Sequence, residues 1–204
     1  MTPFENFTGL VAPLLYDNID TDAIIPSREI RSPEKTGFGE KLFSAWRYTD
    51  EHQSENPDFI LNQDHFRQSS ILLTGQNFGC GSSREMAVWA LMQFGFKTII
   101  ARSFGEIFRN NCHKNGLLTI SLGEKAHQTL TEICQTGIHH LKIDLNLQMI
   151  KLEDQGANFQ DHFEIDAEIK KALLLGEDEI SKTLKFQKEI EAFYLADKQK
   201  RPWL

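Results

Sequence analysis

The sequence predicts an α/β fold, a mixed or parallel sheet flanked by helices. Three observations predict it. Apolar strand-like runs alternate with amphipathic helix-like runs between residues 70 and 135, as expected when helices pack on such a sheet. A glycine-rich stretch, Gly75-Gln-Asn-Phe-Gly-Cys-Gly-Ser-Ser-Arg84, joins the first of those strands to the first helix. The chain has 204 residues, 40% of them hydrophobic, which suits one globular unit over 1–204.

Taken in order, Gly9 to Tyr16 predicts a strand, with Pro13 placing it near a sheet edge because proline has no amide to donate to a ladder. Asp17-Asn-Ile-Asp-Thr-Asp22 reads as a polar turn with three carboxylates. Ile24-Ile25-Pro26 follows as an extended piece, since a residue before proline is biased away from helix. Residues 28–39 carry charges, Pro33 and two glycines and read as a mobile loop. Phe43 to Tyr48 is a docked turn or short helix, and Thr49 to Pro57 a polar surface excursion.

Ser70–Thr74 is a buried strand, and Arg84–Phe94 a helix with Ala87, Val88, Leu91 and Phe94 at helical spacing. Strands at 97–101 and 117–122 and helices at 104–114 and 124–135 continue the alternation, with Asn115-Gly116 a helix stop. His140–Leu145 alternates apolar with polar as a half-solvated strand does, and 148–152 is its hairpin partner. Residues 165–175 and 178–198 form two closing C-terminal helices.

Composition excludes several function classes. Lys plus Arg is 22 against 29 Asp plus Glu, a net charge of −7, which argues against nucleic-acid or anionic-membrane binding. No apolar run approaches the ~20 residues of a membrane span, and no signal peptide is seen. Three cysteines, Cys80, Cys112 and Cys134, without paired spacing suit a reducing compartment, the cytoplasm by default. They also lack the close spacing of a zinc or iron–sulfur site, so no metal is expected on this chain.

The glycine turn carries the chemistry. A strand, a tight turn and a helix N-terminus together make an anion site. Ser82 or Ser83 falls where an N-cap belongs, and Arg84 adds a planar fork suited to a carboxylate or phosphate. A dinucleotide fingerprint is not met, because Arg84 occupies the third glycine position and no ribose-binding acid follows. Cys80 is either a nucleophile near a helix terminus or, more plainly, a small residue in a tight turn. Ser82 is either a cap or, with amides, helix field and Arg84 stabilising its oxyanion, a base, and chemistry alone favours the cap.

Asn77-Phe-Gly-Cys-Gly-Ser-Ser-Arg-Glu85 resembles the signature of the small, swivelling β/β/α domain of the aconitase superfamily. Asn18-Ile-Asp-Thr-Asp-Ala-Ile-Ile-Pro26 resembles that family's N-terminal motif. Thr36-Gly-Phe-Gly39 with Leu42-Phe43 and Trp46-Arg47, the unit Ser103–Leu118, and the ending Phe163–Asp166, Leu173–Gly176 and Asp178–Ile180 resemble it too. Nearly the whole chain is covered, and the combination resembles that of the 3-isopropylmalate dehydratase small-subunit family, which implies the isomerase step of leucine biosynthesis.

The resemblance implies a division of labour. A large subunit would carry a [4Fe–4S] cluster and this chain no cofactor. Ser82 would be the base that removes and returns the carbon-bound proton, and Asp22 a carboxylate ordering the site. Arg84 would clamp a substrate carboxylate, with Ser83, Gly81 and Cys80 of the turn beside the small diacid. The 28–39 loop would set specificity, with Ile30 or Phe38 meeting an alkyl group and Arg28 or Arg31 a polar one. Arg84-Glu-Met-Ala-Val-Trp-Ala-Leu91 departs from the family's usual Arg-Glu-His-Ala-Pro-Trp-Ala-Leu at Met86 and Val88. Two alternatives stay open: a subunit of a related hydratase of the citraconate or dimethylmaleate type, and a non-catalytic anion-binding subunit.

Overall fold

A computed structural model describes residues 1–30, 35–50, 54–153, 158–201 and 203. Its strands are β1 (Phe7–Leu14), β2 (Ile71–Thr74), β3 (Thr98–Ala101), β4 (Leu118–Ser121), β5 (His140–Asp144), β6 (Met149–Leu152) and β7 (Gln160–His162). Its helices are α1 (Thr21–Ile24), α2 (Ser44–Arg47), α3 (Glu85–Phe94), α4 (Glu106–Asn115), α5 (Glu124–Cys134), α6 (Ala167–Leu175), α7 (Glu179–Leu184) and α8 (Gln187–Lys200). The strands form one sheet in the order β4-β3-β2-β1-β5-β6-β7. From β4 to β1 neighbours run parallel, and from β1 to β7 antiparallel.

The two-residue period of the strands divides the core. Ala12, Leu14, Leu72 and Ile99 face one layer, which α3 and α4 close with Ala87, Val88, Leu91, Phe108 and Cys112. Val11, Ile71, Leu73 and Ile100 face the other, closed by Leu130 and Cys134 of α5 and Leu173 of α6. Every residue of β2 and β3 is therefore buried, as parallel strands covered on both faces must be. β5 keeps the half-solvated alternation read from its sequence.

Pro13 corrects the expectation of an edge strand, since β1 lies at the centre of the sheet. The strand changes partners along its length: Phe7–Leu10 pair with β5, and Val11–Leu14 with β2. The Val11 amide donates to His139 O at 3.0 Å on the β5 side. Pro13, two residues on, faces that same side beyond the end of β5, where no ladder bond is required. The C-terminal segment also differs from expectation. It forms three helices, because 178–198 breaks near Phe186, and β7 is a short polar strand that alternation did not reveal.

Among the described residues, no helix is long and apolar enough to cross a membrane. The loop before β2 is anchored through aromatic packing: Phe43 stacks on Trp46 at 5.5 Å, and Phe59 and Tyr16 close around them. Buried Arg47 ties that loop together, its Nε donating to Asn62 Oδ1 at 3.1 Å and its guanidinium lying 5.3 Å from the Phe94 ring.

Candidate functional site

The site forms where three chain segments meet at the C-terminal ends of β1, β2 and β3. Two bridges mark the meeting, Asp20 with Cys80 and Phe78 with Phe104. Gly79 is held at φ +72, and a Cβ there would stand 2.2 Å from Cγ of Phe108. Gly105 approaches so closely that its Cβ would lie 2.5 Å from Gly79 O. Only glycines allow this backbone-on-backbone packing. Asn18 and Asn77 both take left-handed conformations, φ +56 each, and the Asn77 amide group donates to Asn18 Oδ1 at 2.9 Å. Short polar side chains tolerate that region better than other non-glycine residues do.

The N-terminal motif, read as a polar turn, contains the single-turn helix α1. Asp20 caps it, accepting from the Ala23 amide at 2.7 Å, and Ile25 leaves it in an extended conformation before Pro26. Asp22 projects from α1 and accepts from the amide and the hydroxyl of Ser27, both at 3.1 Å. Arg84 reaches across from the glycine turn and its Nη1 donates to the same carboxylate oxygen. This hydrogen bond, and then those from Ser27, hold the Asp22 carboxyl below its ordinary range, so it is an anion at neutral pH. Nη1 of Arg84 also donates to Ile25 O at 3.3 Å.

Neither serine caps α3, which corrects the expectation drawn from position. Arg84 itself is the N-cap, in an extended conformation, with no side-chain bond to the helix. Ser82 and Ser83 lie before it and are exposed, as is Gly81. Cys80 is not an activated thiol: burial, and then the nearby Asp20 charge, push its pKa up. The structure thus brings Asp22, Arg84, Ser82, Ser83, Gly81 and Cys80 together at one junction.

The loop residues separate. Arg28 is exposed beside Glu29, and Ile30 is half-buried against the α3 layer. Phe38 is a core residue, 3% exposed and 5.8 Å from the Trp89 ring, which corrects its assignment as an open alkyl contact. Arg31 lies outside the described residues. Gln93 of α3 holds the loop from both sides, accepting from the Phe38 amide at 2.8 Å and donating to Lys35 O at 2.6 Å. Sequence reading missed Gln93, Ser27, Thr21 and the Asn18–Asn77 pair. An asparagine in each of the two turns, after β1 and after β2, was the one signal that could have pointed to the last. Met86 and Val88 pack into the α3 layer, so these departures from the family pattern are absorbed in the core.

Among the described residues, no group of three or more His, Cys, Asp and Glu could hold a metal ion. Cys112 and Cys134 are buried and Cys80 is half-buried, and none of the three forms a disulfide among the described residues.

Residues 1–125 match the aconitase C-terminal domain family. The chain is 45% identical to a 3-isopropylmalate dehydratase small subunit from Cupriavidus necator, over 100% of this chain and 98% of that protein. Its fold is similar to a crystal structure of a 3-isopropylmalate dehydratase from Methanocaldococcus jannaschii, with a TM-score of 0.65 and 26% identity. That match covers 93% of this chain and 99% of the other.

Proposed function

The chain belongs to the aconitase C-terminal domain family, among the 3-isopropylmalate dehydratase small subunits, and from that membership we propose that it supplies the proton-transfer and carboxylate-binding half of an active site completed by a large subunit. The reaction is the isomerisation of 2-isopropylmalate to 3-isopropylmalate by loss and return of water, a hydro-lyase step of leucine biosynthesis. The observation that carries the residue-level reading is the pairing of Asp22 with Arg84, while Ser82 and Ser83 stay exposed beside them.

Dehydrating a hydroxy diacid requires a group that draws off the hydroxyl, a base for the proton beside a carboxylate, and fixed positive charge for the carboxylates. The first is Lewis-acid chemistry, which a [4Fe–4S] cluster on the large subunit would supply; the cysteines of this chain are too dispersed and too buried to hold one. Arg84 is suited to the last. Its Nη1 is engaged by Asp22 and Ile25 O, and among the described residues Nε and Nη2 have no partner. That leaves an edge of the guanidinium for a substrate carboxylate, oriented by the anion behind it.

Ser82 is the base in this reading. A serine hydroxyl ionises far above neutral pH, so it needs strong local positive potential. The α3 terminus supplies roughly half a charge, and Arg84 adds its own, partly offset by the Asp22 carboxylate behind it. Free of a capping bond, the Ser82 hydroxyl can turn to the substrate. Ile30, at the edge of the specificity loop, would meet the branched alkyl group. Cysteines that form no disulfide among the described residues suit a cytoplasmic setting for the reaction.

Reconstitution tests this. With a cluster-loaded large subunit the chain should isomerise 2-isopropylmalate, and Ser82→Ala should lower kcat by roughly a thousandfold or more with the complex still formed. Wild-type turnover by Ser82→Ala would remove Ser82 from the role of base.

A further inference from the structure

We propose that Thr21 is a positioning residue for the reaction: it fixes the peptide units on either side of Gly81 and Ser82, and so aims the Ser82 hydroxyl at the diacid. The inference rests on the role given to Ser82 above. Thr21 is 2% exposed, although Asp20 and Asp22 on either side of it are exposed. Its hydroxyl donates to Ser82 O at 2.8 Å, and its amide donates to Cys80 O at 3.0 Å.

A threonine at the start of a helix ordinarily serves that helix. Here Asp20 already caps α1, so the Thr21 hydroxyl is free to bond a residue 61 positions away. A planar trans peptide points its C=O and its N–H in opposite directions. With the carbonyls of Cys80 and Ser82 both turned toward Thr21, the amides of Gly81 and Ser83 are turned away from it. Among the described residues neither amide has an acceptor. Thr21 faces inward and grips residue 82, while Asp22 faces outward and grips Arg84. One turn of helix thus sets the relative placement of base and clamp.

The test uses the two-subunit enzyme with Thr21→Val, which keeps the shape and removes the donor, and Thr21→Ser, which keeps the donor. Thr21→Val should lose about tenfold to a hundredfold in kcat, since misplacing a reacting group by an ångström has effects of that size. KM for the diacid should move by less than about threefold, because Arg84 is untouched. The primary deuterium isotope effect on carbon–hydrogen cleavage should rise, and Thr21→Ser should stay within about twofold of wild type. A Thr21→Val enzyme with wild-type kcat, or a Thr21→Ser enzyme as impaired as Thr21→Val, would overturn the proposal. So would a crystal structure of Thr21→Val with the Ser82–Ser83 peptide unmoved. If the wild-type enzyme left 2-isopropylmalate unchanged, the functional reading would fall by itself, and the Thr21→Val structure would still decide whether Thr21 holds that peptide.

Discussion

Gly79 is the residue on which the site's backbone depends. An alanine there must adopt φ +72 and place its methyl 2.2 Å from the Phe108 ring. Left-handed strain and overpacking together should destabilise the fold by roughly 2–4 kcal/mol, read as a lower urea midpoint at unchanged slope. A midpoint within error of wild type would show that the turn relaxes freely. At this scale the sequence was partly legible. Ser82, Arg84 and Asp22 stood out because their motifs are compact and chemically pointed. Thr21 did not, because its hydrogen bond to Ser82 spans the chain and no local pattern reports it. The serines were misread as caps because the helix starts just after Arg84, later than its apolar periodicity suggested. Phe38 was misread because an apolar residue in a charged loop looks available until the loop is seen docked on α3.

Elements were legible where pattern and punctuation agreed. The alternation from β2 to α5 was read correctly because short apolar runs alternate with amphipathic ones, and Gly116 ends α4 in a left-handed cap at φ +93. β1 was found but misplaced, because the partner change that frees Pro13 is a property of the sheet. The end of α4 carries a pH-dependent contribution. His113 bonds Thr119 Oγ1 through Nε2 at 2.8 Å, while its Nδ1 is buried without a partner among the described residues. Burial, reinforced by the Arg109 charge, lowers its pKa to about 4, against the favourable field of the helix C-terminus. The unfolded chain takes up this proton first, near pH 6.5, so folding stability falls as pH drops from there toward about 4. Denaturant midpoints should decline over the upper part of that window, from about pH 6.5 to 5, and His113→Gln should flatten the decline. An equal slope in the variant would place the proton uptake elsewhere.

The whole molecule is a sheet with helices on both faces and the candidate site at one end of its parallel half. Beyond α6 the chain leaves that body: no described residue of α7 or α8 is buried, and Phe186, Ile190, Phe193 and Tyr194 line up at helical spacing in solvent. The abundance of phenylalanine in the sequence did not reveal which rings would be left outside. The proposed base and clamp would make up one half of the reaction, so their test needs the large subunit present. The most direct measurement supplies the alkene diacid in deuterium oxide to the two-subunit enzyme and follows carbon-bound deuterium in the hydroxy diacid formed. Wild type should add deuterium to carbon during hydration, and Ser82→Ala with the same large subunit should add essentially none. Deuterium incorporated by Ser82→Ala at the wild-type rate would contradict the assignment of the proton to this chain.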